Sequence, residues 1–171
     1  MGRPLGPGTK RWLFAVAASS AWQMSVEIET ILVPVDGTPA ASRAVEYAVA
    51  VAAAYGAEIH VLHLVEEDPR EDPDLVPTEI ATAQAEFLTA ATEGLQAVED
   101  GTVDVTASTA AGFSQRSLAR SPVSVVLDAA TDISADLIVV PRESVREDPT
   151  ALLAKAAEHV LSHASQPVLS V

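Results

Sequence analysis

Ile31-Leu32-Val33-Pro34-Val35-Asp36-Gly37-Thr38-Pro39, followed by Ala40-Ala41-Ser42-Arg43-Ala44-Val45, decides the fold of this chain. An unbroken apolar run is the pattern of a strand buried on both faces, because strict alternation appears only where one face meets water. Asp36-Gly37 ends the run. Thr38 carries a side-chain oxygen able to cap a helix, and the fixed φ of Pro39 suits a first helical position. Ala41, Ala44, Val45, Ala48, Ala52 and Tyr55 then recur at helical spacing as the expected buried stripe, and Gly56 supplies the stop. The unit is strand, tight turn, helix.

The same unit repeats outward from there. Ile59 to Val65 reads as a second strand, followed by an acidic loop from Glu66 to Pro77. Ile80, Ala83, Phe87, Ala91, Leu95 and Val98 mark one long second helix. Thr102 to Ser108 alternates Val103, Val105 and Ala107, as an edge strand with one wet face does. Residues 112–120 form a polar loop. Ser121 and Pro122 open a third helix along Val123, Val126, Leu127, Ala130 and Ile133. Leu137-Ile138-Val139-Val140 is a fourth strand, apolar on both faces. Asp148-Pro149 is expected to start a fourth helix through Leu152, Leu153, Ala156, Ala157, Val160 and Leu161, and Pro167 to Val171 is a short final strand. Doubly apolar strands alternating with helices specify an α/β fold, a single doubly wound domain over residues 24–171 with helices on both faces of a parallel sheet.

Composition agrees with one domain. The chain has 171 residues, 49% of them hydrophobic, enough to bury roughly 70% of the unfolded surface in one core. The absence of cysteine excludes disulfides, thiol nucleophiles and thiolate metal sites. The net charge is −14, and it is unevenly spread. Arg3, Lys10 and Arg11 fall in residues 1–23 beside no acid, which leaves the body with seven basic residues against 24 acidic ones. Such a surface repels nucleic-acid phosphates and anionic membranes, so neither is an expected partner. Lys155 is the body's single lysine. Acid-rich, lysine-poor surfaces suit a high-salt cytoplasm, where the Debye length is about 3 Å at 1 M; an acidic protein of an ordinary cell is the alternative. No apolar run reaches the roughly 18 residues of a membrane span. Residues 1–23 read as a disordered or misassigned leader with Met24 as the start, or else as a secretory signal built on Trp12 to Ala18.

Three segments together resemble the universal stress protein family: Ile31 to Thr38 with its alanine-rich helix, Ala135-Asp136-Leu137-Ile138-Val139-Val140, and Ala157 to Ala164 leading into Pro167-Val168-Leu169-Ser170-Val171. The resemblance spans about residues 29–171. It implies a five-stranded sheet in the order 3-2-1-4-5, cytoplasmic location, and a homodimer through the strand at 167–171. It also implies ATP binding in the branch that carries G-x2-G-x9-G-[S/T] after the fourth strand.

Those positions are Pro141, Ser144, Ala154 and Lys155, and all four depart from the motif. Proline has no N–H to give a phosphate, and Cβ atoms crowd a close backbone approach. ATP is therefore not an expected cofactor, and no other is. Asp36, with Pro34 and Val35, matches the family's adenosine end, while an acid there also suits the first N–H groups of the following helix. The expected function is a non-enzymatic stress-response or regulatory domain. A divergent nucleotide binder using Asp36 with Lys155 and Arg142 is the alternative, and a nucleotide-hydrolysing α/β enzyme a second.

The remaining polar candidates read as structural. His159 and His163 share a helical face at ligand spacing, but no third ligand accompanies them, so no metal site is expected. His60 and His63 face opposite sides of one strand, and His63 reads as a hydrogen-bonded core histidine, with lining the pocket near the strand's carboxyl end as the alternative. The acidic loop lacks calcium-loop spacing. Arg116 and Arg120 are expected to pair with surrounding acids, with contact to an anion at the pocket mouth as the alternative. No catalytic constellation is visible.

Overall fold

The computed structural model describes residues 26–66, 76–113, 121–142 and 152–171. Five parallel strands form its sheet: β1 (Thr30–Val35), β2 (Glu58–Glu66), β3 (Val105–Phe113), β4 (Leu137–Val140) and β5 (Val168–Ser170). Their order is β3-β2-β1-β4-β5, as the resemblance implies. The helices are α1 (Pro39–Tyr55), α2 (Val76–Thr92), α3 (Gln96–Glu99), α4 (Pro122–Asp132) and α5 (Leu152–His163).

Alternation along each strand divides the core in two. Ile31, Val33, Val35, Ile59, Val61, Leu137 and Val139 point to one face, against α1, α2 and α3. Leu32, Leu62, Leu64, Ile138 and Val140 point to the other, against α4 and α5. β1 runs through the middle, and Ile31, Leu32, Val33 and Val35 are each 0% exposed. At about 1.5–3 kcal/mol for each fully buried aliphatic side chain, this strand alone supplies a large share of the hydrophobic stabilisation. Asp136 sets its start: one carboxylate oxygen accepts the N–H groups of Glu29 (2.9 Å) and Thr30 (3.1 Å).

The helix ends follow the expected chemistry. The Thr38 hydroxyl accepts the Ala41 N–H at 3.2 Å, and Gly56 closes α1 in the left-handed region at φ 73°, where a Cβ is unfavourable. Ser121 and Ser124 form a reciprocal capping box at α4.

Four local readings need correction. The second helix is broken, because Gly94 adopts φ +75° and α3 restarts the chain after it. β3 begins at Val105 and continues to Phe113, pairing with β2 well beyond the expected end at Ser108. Tyr55 and Leu161 belong to the expected stripes by spacing, yet they are 55% and 47% exposed. Tyr55 sits in the last turn of α1 and Leu161 in the last turn of α5, and hydrophobicity without a facing layer does not bury a side chain.

Candidate functional site

In a doubly wound sheet the crevice for ligands opens where the strand order reverses, at the carboxyl ends of β1 and β4. Asp36 follows β1 there, and Pro141 and Arg142 follow β4. Pro34 and Val35 are both buried in β1, level with Leu62 and His63 of β2.

Asp36 is tied twice. Its Oδ1 accepts the Thr38 hydroxyl at 2.8 Å and the Thr38 N–H at 3.4 Å, at the start of α1. Its Oδ2 accepts the Leu153 N–H at 3.2 Å, across 117 residues of sequence. Leu153 lies in the first turn of α5, whose N–H groups have no partner within the helix and carry the positive end of its dipole. One carboxylate thus bridges two helix starts. Spacing along the sequence points to the α1 contact alone; the α5 contact exists only through the fold.

The backbone after β4 is equally engaged. Pro141 is buried and has no N–H. The Arg142 N–H donates to the Val171 carbonyl, and the Val171 N–H donates to Val140 at 3.1 Å. The ladder between β4 and β5 therefore continues past both strands and engages the Arg142 N–H, the first backbone donor after Pro141. The Arg142 side chain is exposed. Ala154 and Lys155 lie in the first turn of α5 by backbone; their side chains are outside the described residues. So are Ser144, the expected helix start at Asp148-Pro149, Arg116, Arg120, residues 1–23, and most of the acidic loop.

His63 is buried as expected but is not fully satisfied. It is 8% exposed, stacks on Phe87 of α2 with ring centroids 6.0 Å apart, and its Nδ1 has no hydrogen-bond partner among the described residues. Desolvation lowers its pKa below the ordinary imidazole value, and the negative charge of Asp36 opposes that shift. A neutral imidazole results, with one polar atom idle near the crevice.

The other histidines lie elsewhere. His163 donates its Nδ1–H to the His159 carbonyl at 2.8 Å, an ordinary last-turn contact. Among the described residues no three candidate metal ligands cluster, and no helix is long and apolar enough to cross a membrane. His60 bonds both its ring nitrogens to β3: Nδ1 with the Thr106 hydroxyl at 3.0 Å and Nε2 with the Ser108 hydroxyl at 2.7 Å. The alternating Thr106 and Ser108 were the sequence signal for this contact, but only the register of β2 with β3 reveals it.

The model of the universal stress protein family matches residues 27–171. Among solved structures, a universal stress protein family member from Burkholderia pseudomallei is 24% identical, with a TM-score of 0.61, covering 86% of this chain and 97% of that one. A universal stress protein solved in complex with cAMP is 21% identical, with a TM-score of 0.60, covering 85% and 97%. One from Archaeoglobus fulgidus, in complex with dAMP, is 17% identical, with a TM-score of 0.55, covering 85% and 98%. No curated protein sequence gives a significant match.

Proposed function

The chain belongs to the universal stress protein family, and within it we propose a non-enzymatic, cytoplasmic regulatory domain whose phosphate end is occupied by the protein's own groups. The observation that carries this reading is the Asp36 carboxylate on the first turn of α5. A helix start attracts one anion, and here a side chain already holds that place. Pro141 and the engaged Arg142 N–H support the same reading, because a triphosphate needs free backbone donors. The domain acts as a homodimer through Pro167–Val171: β5 is an apolar edge strand, and such edges are ordinarily paired or covered.

A second reading is a nucleotide site without the glycine cradle, using Asp36 with Arg142 and Lys155. The idle Nδ1 of buried His63 favours it, as do the neighbours complexed with cAMP and dAMP. For a nucleotide-hydrolysing enzyme the sequence offers a single glycine in Val35-Asp36-Gly37-Thr38, too few for a phosphate loop after β1.

Calorimetric titration with Mg-ATP and with cAMP, in molar KCl, separates these readings. The regulatory reading expects no saturable heat from either ligand. A Kd at or below about 10 μM, worth roughly 7 kcal/mol, overturns it. Binding of cAMP alone at that strength selects the second reading.

A further inference from the structure

The cross-strand contact of His60 lies apart from the crevice. His60 is level with Leu32, four positions before Asp36, hence about 13 Å back along the strand direction. It occupies the even-numbered face of β2, opposite to His63, together with Thr106 and Ser108 of β3. Thr106 is exposed, and His60 and Ser108 are half-buried, so solvent reaches the group.

The hydroxyl contacts of Thr106 assign the His60 tautomer. The Thr106 hydroxyl donates its hydrogen to the Ile59 carbonyl at 3.2 Å. With its hydrogen there it accepts from His60, and on that arrangement the imidazole hydrogen is assigned to Nδ1, 3.0 Å away. Nε2 is then a bare acceptor, and the Ser108 hydroxyl 2.7 Å away donates to it. Hydroxyl, unprotonated base and a group holding that base's tautomer stand in line, the arrangement that activates an oxygen nucleophile. Partial burial keeps His60 below its ordinary imidazole value, and the negative charge of Glu58 opposes this. The base is therefore available at neutral pH.

We propose that Ser108 is a base-activated nucleophile, a self-acylation site that takes the acyl group of small activated carboxylic esters. In the step, the Ser108 oxygen forms a bond to the ester carbonyl carbon while its proton passes to His60 Nε2. The bond from that carbon to the leaving oxygen breaks, and His60 returns the proton to the departing alkoxide or phenolate. The products are an O-acyl serine and a free alcohol, with no oxidation. Thr106 is a positioning residue.

The full chain is treated with p-nitrophenyl acetate in molar KCl, and the adduct is located by peptide mass spectrometry. Acetylation at Ser108 is expected, absent in Ser108→Ala and slowed at least about 100-fold in His60→Gln, the lower range of general-base assistance. Thr106→Val should slow it and displace the inflection of its pH profile, and Thr106→Ser should restore both. Because the chain has no cysteine, Ser108→Cys installs a single thiol that reports on the base directly. Its alkylation by iodoacetamide at pH 7 should be roughly tenfold faster than in the Ser108→Cys, His60→Gln double variant. No adduct at Ser108 in the native chain overturns the proposal, as does a thiol indifferent to His60. Either result would leave the group as a polar ladder on the wet face of an edge strand.

Discussion

Replacing Asp36 by alanine removes a single carboxylate from between two helix starts. It takes away the hydroxyl contact with Thr38 at 2.8 Å and the N–H contact with Leu153 at 3.2 Å. Hydrogen bonds to a charged group contribute about 1.5–3 kcal/mol. Asp36 is half-buried, which places its contacts at the weak end of that range. A charge at a helix start adds about 0.3–1 kcal/mol, so the loss should total roughly 3–4 kcal/mol. For a domain of this size each kcal/mol moves Tm by about 2–4 °C, so the variant should melt roughly 6–16 °C lower. Asp36→Asn keeps one carbonyl oxygen but no charge, and should lose about half as much. Thermal melts of the three proteins in molar KCl, followed by circular dichroism, measure this. A sulfate series adds a second arm, since only a vacated α5 start should gain from an added anion. An alanine variant within about 1 °C of the native chain, unresponsive to sulfate, refutes the bridging role of Asp36.

The acidic surface should make the fold salt-dependent, with Tm rising from dilute buffer to molar KCl as repulsion is screened; a flat or falling series would sink the halophilic reading. Light scattering at micromolar concentration should report a dimer, and Leu169→Lys at the β5 edge should shift it toward monomer; a native monomer rules that interface out. Burial lowers the pKa of His63 from its ordinary 6.5, so below that pH the unfolded chain binds a proton the folded one resists. Stability should therefore fall as pH drops from about 7.5 to 5.5. His63→Phe should flatten part of that slope, while His60, shifted in the same direction, keeps the rest; identical slopes would contradict the burial of a neutral imidazole.

What the sequence discloses is whatever depends on local pattern. β1 and β4 are legible because burial on both faces leaves no alternation, and the starts of α1 and α4 because Thr38-Pro39 and Ser121-Pro122 are capping chemistry. Gly94 is harder. Its neighbours keep helical spacing, and only the observed φ of +75° shows that the chain turns there. Strand order came from resemblance, since many orders satisfy the same alternation. The contacts that shape the candidate sites are the least legible. Asp36 and Leu153 are 117 residues apart, and His60 and Ser108 are 48 apart. Each pair meets through register and topology, which no spacing rule encodes. Asp36 reads in the sequence as an acid suited to α1; nothing near it announces its second helix.

The placement of β1 also bears on how the chain emerges from the ribosome. β2 and β3 follow it directly, but its other neighbour, β4, begins about 100 residues later, Ile31 pairing with Leu137. At roughly 5–20 residues per second, that partner arrives about 5–20 s after β1 itself. For that interval β1 keeps an open edge, first beside β2 alone and, once Phe113 is made, in a three-stranded sheet for the last 24 residues before Leu137, the kind of edge that recruits other chains. The stretch made meanwhile includes the six carboxylates between Glu66 and Pro77, and their mutual repulsion keeps neighbouring nascent chains apart. Acidity placed between β2 and α2 thus also shields β1 while it waits for β4.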